Sequence, residues 1–436
     1  MTIKKKKSFF KFIIIIMVIT VFFNFSTFNS FSEVNRRNFV EPSLFQQKSD
    51  DYLPVIISFN KDSYINDLNL FMEKFNQNFS LKYKFSIIPA ISGYLSPKSL
   101  IKLQNLDINL NVFENNQYSY PNKQIEGEKD LKVNQISTES WWMDAIGKNE
   151  FNVKNLDGNG VSVGILDTGI GYNTSTGIEI HQDLQGRVGQ HINFATGIPN
   201  DDVYDKYGHG THVAGIIASS GVSSNGKYSG IAPGVQIYNV KVLNNSGSGF
   251  EDDIIKGIEW CVNESIDIIN LSLGGGQADP NTPESMALTN ASRQGVVCVV
   301  SSGNEGDNYY TSSSPSGANG IISVGSVDEN YKISSFSSRG PNLANSFDPD
   351  IVAPGEGIIS TCNYNSFLEK YYNFFDLLID GDGSEQNKYI ALDGTSMAAP
   401  MVSGAISLIL EKFYLFNLSN SFIISSLMES DRKSVV

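Results

Sequence analysis

The sequence predicts an α/β protein: a doubly wound, mostly parallel sheet, preceded by a smaller α+β module. Three observations carry this expectation. Val161–Asp167, Val235–Leu243 and Ile266–Gly274 are short runs rich in branched apolar residues, the pattern of buried strands. Helical periods lie between them, as over Glu251–Asn263, and strands alternating with helices imply a parallel sheet covered on both faces. Residues 53–116 read differently, with strand, helix, two strands, helix and strand in succession, the order of a ferredoxin-like plait.

The bulk properties agree with more than one domain. The chain has 436 residues, and 41% hydrophobic content is enough for a sizeable core. A formal charge of −14 argues against nucleic acid or acidic polymers as partners. Three cysteines are an odd number, so at least one thiol stays unpaired within a monomer, and stability is expected from the core.

Taken in order, residues 1–32 open with Lys4 to Lys7 and Lys11, followed by the apolar run Phe12–Phe23. A basic start and about a dozen apolar residues have the proportions of a signal peptide, with an uncleaved signal anchor as the alternative. The expected location is therefore secreted, or membrane-anchored facing outside. Residues 33–52 are polar and irregular and read as a linker. Within 53–116, strands are expected at Val55–Phe59, Tyr83–Ile88, Ala90–Leu95 and Leu110–Phe113, with helices at Ser63–Phe75 and Pro97–Leu103. Residues 117–137 are polar with one proline and are expected to be accessible, a processing linker. The main domain is expected over 138–436, beginning with Trp141, Trp142 and Ile146 as packing residues.

The chemistry gathers in three segments of that domain. Asp393-Gly-Thr-Ser-Met-Ala-Ala-Pro400 sets Ser396 at the start of a helix whose apolar face includes Met397, Val402, Ala405 and Ile409. Pro400 is expected in or near its first turn, where a missing N–H costs little. A helix N-terminus favours developing negative charge, which suits a nucleophile. Gly208-His-Gly-Thr-His-Val-Ala-Gly215 carries two of the four histidines, framed by glycines that allow close backbone approach. Asp167 ends a strand, the place where open parallel sheets put ligand chemistry.

In the order Asp, His, Ser, these segments resemble the subtilisin-like serine proteases, or subtilases, across roughly residues 138–430. The resemblance implies a catalytic triad of Asp167, His209 and Ser396. It also implies an oxyanion donor at Asn304, within Ser301-Ser-Gly-Asn-Glu-Gly306. Ser272, Leu273 and Gly274 would pair with substrate backbone, and with Ser302 and Gly303 they would wall the primary specificity pocket. Glycine suits such walls, because a side chain would block a peptide lying alongside. The module at 53–116 resembles the family's inhibitory propeptide, a partner that acts as inhibitor and folding aid.

The implied activity is that of a secreted serine endopeptidase made as a zymogen and of broad specificity, needing no cofactor for catalysis. Structural calcium stays open: Asp183 resembles the family's calcium-ligating aspartate, while the loop Ser219–Ser229 departs from the pattern. His212 reads as a packed histidine and not as a metal ligand. The stretch 363–390 is an insertion relative to a compact subtilisin, read as a surface loop bordering the cleft.

Overall fold

The computed structural model describes residues 38–47, 51–104, 106, 108–119, 140–148, 155–174, 177–374, 377–380, 382–384 and 386–414. The leader expected over 1–32 and most of the processing linker lie outside the described residues. No helix among the described residues is long and apolar enough to cross a membrane.

The N-terminal module is a five-stranded sheet in the order Phe39–Val40, Leu110–Glu114, Leu53–Phe59, Ala90–Leu95, Phe79–Lys84. One face is covered by the helix Tyr64–Phe75, whose Leu68, Phe71 and Phe75 are buried. Two expectations are corrected here. The stretch read as a linker supplies the edge strand Phe39–Val40 and the buried Leu44. Two residues are too few to show an alternation, and the pairing is secured by Asn38, whose side chain donates to the Leu103 carbonyl at 2.9 Å. The strand expected at Tyr83–Ile88 instead spans Phe79–Lys84. The apolar run after it is buried for another reason: Phe85, Ile87 and Ile88 pack against Ile254, Ile255 and Ile258 of the main domain.

The main domain is built on a seven-stranded parallel sheet. Its order is Val188–Asn193, Gln236–Lys241, Ser162–Asp167, Ile268–Leu271, Val297–Ser301, Ile322–Val327, Ile351–Pro354. The chain reverses its direction of growth across the sheet beside Ser162–Asp167, which places the carboxyl end of that strand at a topological switch point. On one face lie the helices His209–Ala218 and Thr395–Tyr414, buried in the largest apolar cluster with Val213, Ile217, Met397 and Val402. Glu251–Asn263 and Pro283–Arg293 cover the other face through a second cluster.

Pro400 stands inside the helix Thr395–Tyr414, not in its first turn. A proline there cannot donate to the carbonyl four residues back, which is that of Ser396. Ser272 fills the vacancy, its Oγ donating to the Ser396 carbonyl at 2.8 Å. The interruption thus ties the serine helix to the end of a neighbouring strand.

The insertion is not a simple loop. It contains the helix Phe367–Phe374, with Leu368 and Tyr372 buried. Phe367 stacks on Tyr207 with ring centroids 5.4 Å apart, and the Leu368 N–H donates to the Tyr207 carbonyl at 3.0 Å. Its amphipathic helix therefore packs at the entry to the His209 helix.

All three cysteines are free and buried. Burial pushes the thiols of Cys261 and Cys362 well up, and that of Cys298 up to about 12.

Candidate active site

Asp167 is the last residue of its strand and is 1% exposed. His209 is the first residue of its helix, and its Nδ1 lies 2.8 Å from Asp167 Oδ1 and 3.0 Å from Oδ2. The Thr168 N–H also donates to Asp167 Oδ1, at 2.7 Å. A carboxylate held this way fixes the imidazole with its proton on Nδ1, which leaves Nε2 as the basic nitrogen. Gly208, immediately before the helix, has φ of 111°, a conformation that favours glycine. A Cβ at Gly210 would strike the Gly169 carbonyl, so glycine is what lets this helix start so close to the Asp167 turn.

Beneath the pair lies a second polar layer. Asp205, fully buried, accepts from Thr168 Oγ1 (2.8 Å), Gly208 N (2.7 Å), Thr211 N (2.8 Å) and Thr211 Oγ1 (2.7 Å). Burial raises its carboxyl pKa despite these donors. Lys241 pairs in register with Asp167 on the adjacent strand, and its Nζ donates to the carbonyls of Thr168 and Tyr204. Burial lowers its ammonium pKa to about 8, with Asp205 opposing the shift. Sequence reading passed over Lys241. The signal was a lone cation in an otherwise apolar strand run, Val240-Lys-Val-Leu243.

Ser396 is fully buried and is the second residue of its helix. Its Oγ donates to the Ser272 carbonyl at 3.1 Å. Asn304 is oriented by Thr395, whose N–H and Oγ1 both donate to Asn304 Oδ1 at 2.9 Å. Both donors fall on the oxygen, so the amide nitrogen faces elsewhere, with Nδ2 3.3 Å from where a Cβ on Gly394 would stand. Gly303 donates its N–H to Thr395 Oγ1 at 3.2 Å, and a Cβ there would collide with Ser313. The structure therefore brings Asn304, Gly303 and the first turn of the serine helix together.

The expected walls are occupied in an informative way. Ser302 and Leu273 are fully buried. Gly274 forms an antiparallel bridge with Ser119. Gln117–Ser119 is a strand, antiparallel to Ser248–Phe250, with Tyr118 only 3% exposed. The start of the expected processing linker is thus a paired strand in which Gln117 and Ser119 stay exposed, as expected, while the one aromatic between them is buried. The sequence reading also missed Glu251 and Glu284, which lie buried beneath Tyr118.

Asp183 does not fit a calcium ligand. Its Oδ1 accepts the Ser223 N–H at 2.8 Å, and its Oδ2 accepts from Tyr389 at 2.7 Å and Ser219 Oγ at 2.9 Å. These are hydrogen donors aimed at a carboxylate, where a calcium shell needs several converging oxygens. Among the described residues, no group of three or more His, Cys, Asp or Glu side chains could hold a metal ion. His212 is fully buried with Nε2 3.1 Å from the Ile390 carbonyl, and burial lowers its pKa to about 3.

Comparison with known proteins adds to this geometry. The model of the subtilase family matches residues 158–430. The chain is 34% identical over 351 residues to Serine protease AprX of Bacillus subtilis, covering 76% of this chain and 72% of that protein. It is 35% identical over 288 residues to the Major intracellular serine protease of the same organism, covering 64% and 78%. A Thermostable alkaline protease of Halalkalibacterium halodurans is 31% identical over 334 residues, covering 76% and 75%.

Proposed function

From the premise that the chain belongs to the subtilase family and is a serine-type endopeptidase, we propose that it is an exported zymogen of broad specificity, working through Asp167, His209 and Ser396. The observation that carries the zymogen reading is the strand Gln117–Ser119, which lies in the cleft between Ser248–Phe250 and Gly274. It occupies the place of a substrate backbone, and it is the exit of the module spanning 38–114.

In the reaction, His209 Nε2 removes the Ser396 proton as Oγ bonds to the carbonyl carbon of the scissile peptide. Asp167 supports the imidazolium through Nδ1–H. The oxyanion is held by Asn304 Nδ2 and the Ser396 N–H, the latter at a helix N-terminus where negative charge is favoured. As the C–N bond breaks, His209 gives the proton to the leaving amine. Water, deprotonated by the same histidine, then attacks the acyl-enzyme and frees Ser396.

Export rests on the basic and apolar pattern of Lys4–Phe23. Breadth rests on the absence, in segments 272–276 and 301–303, of acidic residues that would demand Arg or Lys. The test is intact mass and N-terminal sequence of purified wild-type and Ser396→Ala protein. The wild type should lose the module within residues 120–139 while the variant stays joined there. A wild type left uncut there, or both proteins cut alike, contradicts self-maturation.

A further inference from the structure

The cleft strand does more than occupy space, because Tyr118 reaches a pocket with two carboxyl groups at its floor. The Tyr118 hydroxyl donates to Glu284 Oε1, and Ser314 Oγ donates to the same oxygen at 2.5 Å. Glu251, the first residue of its helix, is 1% exposed, and Glu284 is fully buried. Burial and the neighbouring Glu284 push the Glu251 carboxyl well above the usual range. Glu251 Oε1 and Glu284 Oε2 are buried without a hydrogen-bond partner. The walls are apolar: Tyr118 shares a cluster with Leu243, Ile254 and Leu273. Gly275 leaves room for the ring, since a Cβ there would come within 3.3 Å of it.

Antiparallel pairing through Ser119 and Gly274 runs this strand toward Ser272, whose carbonyl receives the Ser396 hydroxyl. A residue lying where Tyr118 lies is therefore on the N-terminal side of the bond to be cut. We propose that this pocket selects substrates, and that its Glu251–Glu284 pair selects peptides carrying tyrosine at that position over those carrying phenylalanine. The inference rests on the reading that Gln117–Ser119 stands where substrate binds. An apolar pocket alone separates such side chains weakly. A buried carboxylate oxygen that loses one of its two donors, keeping Ser314 Oγ, discriminates more, because phenylalanine replaces nothing of the missing hydrogen bond. The same floor repels aspartate and glutamate at that position.

Two measurements test this. In the first, enzyme recovered from expression of the full chain is given matched peptides that differ only as Gln-Tyr-Ser or Gln-Phe-Ser ahead of a common cut bond. The tyrosine peptide should have a kcat/KM higher on the order of tenfold or more, and Glu284→Leu should bring the ratio near one. Equal wild-type values in an enzyme that cuts both peptides overturn the selection while leaving the zymogen reading intact. The second measurement needs no activity. In the Ser396→Ala chain, Tyr118→Phe should speed hydrogen exchange of the 117–119 amides by about tenfold, and Glu284→Leu should remove that difference. Unchanged exchange overturns the pocket's recognition of the hydroxyl whether or not the wild type matures itself.

Discussion

The contact between Asp167 and His209 spans 42 residues of sequence; those at the joint between the module and the main domain span about 170. Asp167 and His209 are 42 residues apart, and the Asp205 layer that steadies them draws on Thr168, Gly208 and Thr211. Across the joint, Lys82 Nζ lies 2.8 Å from both Asp252 Oδ1 and Asp253 Oδ1, some 170 residues on. Ser86 donates to Glu259 through its N–H and its Oγ. The helix starting at Glu251 has Phe250 before it, which cannot cap. Its first N–H groups are instead met by the Asn116 carbonyl at 2.9 Å and Asn115 Oδ1 at 3.1 Å. The contrast teaches that the groups around Asp167 and His209 can be read as motifs, whereas the contacts between the module and the main domain look like unexplained buried charge.

Asp167→Asn keeps the shape of the triad but favours the wrong imidazole tautomer, and should lower kcat by about 10⁴. Steady-state hydrolysis of a chromogenic peptide would read this, and a loss below tenfold would deny Asp167 its role. Asn304→Ala removes one oxyanion donor and should cost on the order of 10²–10³ in kcat. If KM rose instead with kcat intact, Asn304 would be binding ground-state substrate.

On the other side of the comparison, Lys82→Met in the uncleaved Ser396→Ala chain leaves Asp252 and Asp253 without their cation. Lys82 is partly exposed, so the expected loss is about 2 kcal/mol, below that of a wholly buried pair. Urea unfolding would measure it. On the proposed maturation, which releases the module, the same substitution should leave the kcat of the processed enzyme unchanged.

The smallest effect concerns Lys241. Its folded pKa, about 8, lies below the ordinary lysine value of about 10.4. Between those values the unfolded chain binds more protons, so this group makes stability rise with pH from about 8 to about 10. Lys241→Met should flatten that rise in denaturant titrations. It should also lower kcat modestly through the Thr168 turn, with KM little changed.

Much of the sheet and the Asp167–His209 pair were legible in the sequence. Branched runs such as Val161–Leu166 form strands buried on both faces, and the glycines around His209 mark close backbone approaches. What escaped was of another kind. Phe39–Val40 is too short to show a period, and Phe85–Ile88 is apolar because of an interface and not a strand. Pro400 lies inside its helix because Ser272, distant in sequence, satisfies the carbonyl it orphans. Tyr118, Glu251 and Glu284 acquire meaning only when three segments converge.

The central claim is that Ser396, activated by His209, is the nucleophile. It is tested most directly by treating the matured enzyme with a fluorophosphonate and locating the adduct by peptide mapping. The expected result is a single adduct on Ser396 that disappears when the native enzyme is unfolded before treatment, with His209→Ala protein labelled at least a hundredfold more slowly. An adduct on another residue, or equal labelling of the His209→Ala protein, would contradict the account.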